Sequence, residues 1–279
     1  MSYRRKHIKN KIHKITPKKS ILRRPIFWIF VLFLILFIAA VYFYLFYSGF
    51  QIKNIIISGN VKVQSEDIEN LVSYSINKKL IGLGGWNAMS KSIFLTNPPE
   101  LQSLILKTFP MIETVLVEKN FPQNISLQIN ERKPIAVFCP STSSGQASDQ
   151  CFFIDKNGVV FEEIQNTSQD MPILSQMIDD KKAFVGENAI GKDVMNVILK
   201  IEKNLKDNFQ INIKEAFLSN PFRLDVKTSE NWQVYFNLSS DTDLQITKLN
   251  SLLKDEISQK ERTSLQYIDL RYKDRAYYK

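Results

Sequence analysis

Acyl transfer and zinc chemistry both lean on imidazole, and this chain has almost none. Its 279 residues include two histidines, His7 and His13, both in a basic N-terminal run. A serine or cysteine nucleophile elsewhere would lack its usual base. The usual zinc sites need histidine or more than two cysteines. One pattern with catalytic precedent remains. Ser251-Leu-Leu-Lys254 has the S-x-x-K spacing of penicillin-binding enzymes, and Lys227-Thr228-Ser229 loosely matches K-T-G. Three residues apart on a helix, Ser251 and Lys254 would be neighbours. They lie on or beside a leucine stripe, however, with no S-D-N run before them in the expected context. An amphipathic helix accounts for the match, and a serine hydrolase is the weaker alternative. Gly82-Leu83-Gly84-Gly85 lacks the spacing and the lysine of a phosphate loop. Asp155-Lys156-Asn157-Gly158 lacks the later acid that completes a calcium loop and reads as a hairpin turn. The expectation is a non-enzymatic protein with no cofactor, no metal and no small-molecule substrate.

The two cysteines, Cys139 and Cys151, bracket a polar, turn-rich insert between apolar runs. If those runs pair as a hairpin, the thiols meet, and an oxidising compartment favours a disulfide. The alternative is two small buried thiols.

Which compartment they face follows from charge. Residues 1–24 carry ten Lys/Arg and no acid. The whole chain is +9, so removing that +10 leaves −1 for the rest. A basic average would suggest nucleic acid, but the near-neutral remainder removes that reading. Residues 26–47 follow without a charge, with Phe27 and Trp28 at one end and Tyr42, Tyr44 and Tyr47 at the other. That length suits the hydrocarbon core, and the aromatics suit its two interfaces. The run is too long for a signal peptide and has no clear small-residue cleavage site after it. The Lys/Arg excess predicts residues 1–25 as a cytoplasmic tail, 26–47 as one membrane span, and the bulk outside.

The exterior divides at Lys133-Pro134. Before it, residues 50–58 read as a strand ended by Gly59-Asn60. A helix capped by Ser65 follows, then an irregular stretch over 77–96. A helix opens at Asn97-Pro98-Pro99-Glu100, and strands run over 112–119 and 125–131. This β-α-α-β-β order describes a small α/β module over 48–133. Beyond it, over 134–279, strands are expected at 135–139, 151–155, 159–163, 211–218, 222–227, 232–238 and 265–272. Helices are expected at 192–207 and 242–257, the first striped by Val194, Val197, Ile198, Ile201 and Leu205. The fold class is α+β, with a mostly antiparallel second sheet. In the last strand, alternation puts Tyr267, Asp269 and Arg271 on a polar face and Ile268, Leu270 and Tyr272 on a core face.

Three stretches carry a resemblance to the FtsQ/DivIB family of bacterial cell-division proteins. They are the opening strand FQIKNIIISGN over 50–60, the run NFPQNISLQINERKPIA over 120–136 with its Glu-Arg-x-Pro junction, and Tyr267-Ile-Asp-Leu-Arg-Tyr272. The resemblance implies that 48–133 is a POTRA domain and 134–279 a β domain. It implies a divisome scaffold in the inner membrane, enriched at the septum and helping to regulate septal cell-wall synthesis. The implied partners are FtsB/DivIC-like and FtsL-like proteins, with strand addition at the last strands. The residues this assigns are Tyr267, Asp269, Arg271, Tyr272, Lys273, Asp274, Arg275, Tyr277 and Tyr278. A POTRA-bearing chaperone or transport component for extracytoplasmic polypeptides is the other alternative.

Overall fold

The computed structural model describes residues 24–83, 86–140, 150–164, 171–176 and 185–279, without the side chains of 78–88. Most of the basic tail, Gly84-Gly85 and most of the cysteine-bracketed insert therefore lie outside the described residues. The described chain is α+β and forms two compact units. One comprises residues up to 53 with 76–96 and 121–123, and the other comprises 54–75, 97–120 and 124–279.

The first unit is built on helix α1, Pro25–Phe46, which is long and apolar enough to cross a membrane. The chain leaves it through a short 3-10 turn at Ser48–Phe50. The stretch expected to be irregular instead contains a hairpin, residues 78–83 paired antiparallel with residues 86–90. Its strands are only six and five residues long, and the first is interrupted by Gly82, so periodicity does not reveal them.

In the second unit, β1 (Asn54–Ser58) lies parallel to β5 (Asn124–Glu131), which lies antiparallel to β4 (Ile112–Asn120). With the hairpin strands taken as β2 and β3, these form a sheet of order β1-β5-β4. Alternate residues Ile125, Leu127 and Ile129 are buried, as alternation requires. In β4 a register shift between Ile112 and Thr114 moves Val115 and Val117 onto the buried side with Ile112, leaving Leu116 exposed. Helices α2 (Ser65–Ile76) and α3 (Pro98–Thr108) bury Ile68, Val72, Leu101 and Ile105. Ser65 is the first helical residue rather than the cap, and Asn97 caps α3 without a side-chain bond.

The Glu-Arg-x-Pro junction acquires a physical meaning here. The Glu131 carboxylate accepts the backbone N–H groups of Val61, Lys62 and Val63 at 2.8–3.0 Å. Gly59, at φ 86°, permits that turn, since a Cβ there would lie 2.1 Å from the Ile129 carbonyl oxygen. Burial alone would raise the Glu131 pKa, but the three N–H donors and the Lys62 charge outweigh it and hold it below its ordinary value. The sign follows from linkage. The stabilisation is present above the unfolded-state pKa near 4.5 and is lost as pH falls through the lowered folded value. Glu131→Ala is expected to cost about 1.5–3 kcal/mol at neutral pH. In urea titrations the gap from wild type should close as pH drops below that window.

Beyond the junction the described residues form a sheet of nine strands. They are β6 (Ala136–Phe138), β7 (Cys151–Ile154), β8 (Val160–Ile164), β9 (Ile173–Gln176), β10 (Ile213–Asn220), β11 (Arg223–Thr228), β12 (Gln233–Asn237), β13 (Tyr267–Asp269) and β14 (Tyr277–Tyr278). The order is β14-β13-β12-β11-β10-β9-β6-β7-β8. Five of its eight pairings are antiparallel, so the sheet is mostly antiparallel. Helix α4 (Lys192–Phe209) packs Met195, Ile198, Ile201 and Leu205 into the main core, and α5 (Thr242–Ser251) adds Ile246 and Leu249. A π-helical turn, Leu252–Glu256, extends α5. Trp232 is fully buried among these side chains.

A second, smaller core covers the other face of β6 and β7. Along β6, Ala136 and Phe138 join the main core while Val137 enters the smaller one, followed by Cys139. Two-sided burial explains why these strands are apolar throughout. Cys139 and Cys151 are joined as a disulfide within this second core. Replacing both by serine should cost about 3 kcal/mol, from the loop closed in the unfolded chain. Urea unfolding of wild type with and without reductant checks this, and reduction should leave the double variant unchanged.

Candidate partner-binding edge

The residues singled out at the C-terminus do not form one long edge strand. β13 holds only Tyr267–Asp269, between β12, which it meets in parallel, and β14, which returns antiparallel. The chain turns out of the sheet after Leu270 and comes back at Tyr277. The true edge is therefore β14. Beside it, Lys279 donates its N–H to the Tyr267 carbonyl at 3.1 Å and accepts the Tyr267 N–H at 3.3 Å. In an antiparallel pair these inward bonds alternate, so the N–H and carbonyl of Tyr278 point away from β13.

Alternation also misplaced two side chains. Asp269, put on the polar face open to solvent or a partner, is 6% exposed. Arg271 grips it with two side-chain bonds at 2.9 and 2.6 Å and a backbone N–H at 3.1 Å. Burial would raise the Asp269 pKa, but the Arg271 bonds and the charges of Arg271 and Arg223 lower it. Tyr272, put on the core face, is 51% exposed. The strand has ended by then, so its alternation no longer applies. Tyr272 instead meets Tyr277 edge-on at 5.1 Å, and Tyr277 and Tyr278 are themselves exposed. Lys273, Asp274 and Arg275 form the intervening turn. The Lys248 ammonium on α5 holds that turn, donating to the carbonyls of Tyr272 at 2.6 Å and Lys273 at 3.2 Å. Sequence alone gave no signal for Lys248, whose partners lie more than twenty residues away.

Sequence reading also missed the flanking polar ladder. Arg223 and Arg271 both lie against the Tyr235 ring, at 4.8 and 5.4 Å, and Tyr267 stacks on it at 5.7 Å. Arg223 pairs with Asp225 at 2.7 Å. Burial, followed by the Asp225 charge, raises the Tyr235 phenol pKa. Behind the edge, α5 and the returning chain enclose a groove of about 370 Å³. It is lined by Lys248, Ser251, Asp255, Asp274 and Arg275, among others. Two residues of the Lys-Thr-Ser run have partners within the fold. Lys227 pairs with Glu215, and the Thr228 hydroxyl donates to the Trp232 carbonyl. Among the described residues no cluster of side chains suits a metal.

An N-terminal helix long and apolar enough to cross a membrane, a small α/β layer in β-α-α-β-β order and a larger mixed sheet ending at the β14 edge define the class: an α+β protein compatible with a single-pass anchor. The particular family follows from comparison. The model of the FtsQ-type POTRA domain matches residues 50–132, and that of the C-terminal region of cell division protein FtsQ/DivIB matches 146–271. The chain belongs to the FtsQ/DivIB family of cell-division proteins. It is 27% identical over 152 residues to cell division protein FtsQ of Rickettsia bellii (strain RML369-C). The match covers 54% of this chain and 46% of that protein, so the chain spans about half the length of the curated relative it matches.

Proposed function

We propose that this chain is a non-enzymatic scaffold of the divisome, anchored by α1 with its basic tail in the cytoplasm and its bulk outside. In this reading 48–133 is the POTRA domain and 134–279 the β domain. The β domain binds an FtsB/DivIC-like protein, with an FtsL-like protein in the same assembly, and so helps to regulate septal wall synthesis. The observation carrying the proposal is the β14 edge, with outward backbone groups at Tyr278 and exposed Tyr272, Tyr277 and Tyr278 around it. Strand addition supplies affinity through backbone hydrogen bonds, and flanking side chains supply selectivity. Aromatic side chains bury large area with few torsions to freeze. A fluorescent fusion should gather at the septum of dividing cells and co-purify an FtsB/DivIC-like protein. Uniform envelope fluorescence without that protein in the eluate counts against the proposal.

A further inference from the structure

The end of α1 does not pass into a free linker. Its last carbonyls are capped by side chains from the chain's later segments. Ser92 Oγ donates to the Tyr44 carbonyl at 3.1 Å, and Ser90 Oγ and Gln51 Nε2 both donate to the Leu45 carbonyl. These are the acceptors a helix C-terminus leaves open. Backbone bonds brace the same region: Ile52 N–H to the Lys91 carbonyl and Ile93 N–H to the Phe50 carbonyl, each 3.0 Å. Gln123 Nε2 reaches the Ser48 carbonyl at 3.2 Å. Segments 90–93 and 121–123 are thus fixed to the helix end at a set height.

That height matters because of what these segments display. The Phe94 ring lies 5.4 Å from Tyr44, 5.2 Å from Phe50 and 5.6 Å from Phe121. Phe94 is nonetheless 43% exposed and Phe121 58%. Lys53 and Lys91, on the same segments, are exposed as well. An exposed aromatic patch continuous with a membrane helix is costly in water and suited to the interfacial layer. Twenty-two residues of α1 rise about 33 Å, against a hydrocarbon core of roughly 30 Å. The Tyr44–Tyr47 end therefore lies at the outer boundary, and the ring packed on Tyr44 lies there too.

We infer that Phe94 and Phe121 seat in the phospholipid interface of the outer leaflet, with Lys53 and Lys91 at the headgroup phosphates. They form a collar that holds this unit at the membrane surface. The inference rests on α1 being the membrane anchor, and the test separates the two. The native cysteines are paired, so one introduced cysteine is the sole free thiol for an environment-sensitive dye. Full-length Phe94→Cys, Phe121→Cys, Tyr47→Cys and Leu36→Cys variants are labelled and reconstituted in phosphatidylglycerol/phosphatidylethanolamine vesicles. Nitroxide lipids spin-labelled at the headgroup or deep in the acyl chain then serve as quenchers. Labels at 94 and 121 are expected to lose as much fluorescence to the headgroup nitroxide as the label at 47, and the label at 36 to lose it to the deep nitroxide. If 36 behaves so while 94 and 121 respond only to aqueous iodide, the collar is overturned and the anchor stands. If 36 responds to neither nitroxide, both fall.

Discussion

Replacing Arg132 with alanine lowers the unfolding free energy by about 3–5 kcal/mol, the range for removing one partner of a buried ion pair. Arg132 Nη1 contacts Asp155 Oδ2 at 2.5 Å, and the two side chains are only 15% and 3% exposed. Its Nε also donates to the Pro110 carbonyl at 2.9 Å. Asp155 meanwhile shapes the β7–β8 turn, where its Oδ1 accepts the N–H groups of Asn157 at 2.9 Å and Val159 at 3.0 Å. Without Arg132 a carboxylate committed to that turn stays buried and uncompensated. Denaturation of the full chain in detergent, followed by tryptophan fluorescence, measures the loss. Asp155→Asn discriminates the cause, because the amide keeps the turn acceptor without the charge. In the Arg132→Ala background it should recover a substantial part of the lost stability, so that the two changes are far from additive. Additive costs would mean that the pair contributes through packing alone.

The second large effect concerns binding. Tyr278→Pro is expected to weaken capture of an FtsB/DivIC-like partner about tenfold or more, equivalent to some 1.4 kcal/mol for a lost backbone bond and a ring in the incoming strand's path. Stability should hardly change, since the deleted N–H faces outward and edge strands tolerate proline at such positions. Lys279→Pro is the contrasting variant. It removes an N–H that donates to Tyr267, so it should unpin β14 and weaken binding along with the edge. Proline within 273–275 is a poorer probe than at 278, because those residues lie in a turn that Lys248 holds at the Tyr272 and Lys273 carbonyls. Tyr272→Asp should likewise leave stability intact, given that ring's exposure. Pull-down by the full chain, wild type against each variant with matched thermal unfolding, decides it. Undiminished capture by a folded Tyr278→Pro protein removes β14 as the docking edge.

Much of the architecture was legible beforehand because its signals are local. The α1 span needs only its own apolar composition. The stripe on α4 needs only helical spacing. Gly59 and Gly158 mark turns because both adopt positive φ, where a side chain would collide with a carbonyl. The cysteines meet because β6 and β7 pair, as the apolar runs around the insert suggested. β9 was not legible. It is four residues long, begins just after Pro172, and owes its existence to β6 and β10 on either side.

The C-terminus divides the two kinds of information most clearly. From residues 267–272 alone one reads a strand with a polar and an apolar face, and from the nearby tyrosines and cations a surface suited to a partner. Only the tertiary structure decided where that strand stops, that β14 covers it, and that Asp269 is buried beneath Arg271. Those outcomes depend on Lys248, Tyr235 and Arg223, which are distant along the chain and near in space. A residue's periodicity records which way it points while its element lasts. Packing against remote neighbours sets how long the element lasts, and so which backbone groups remain open.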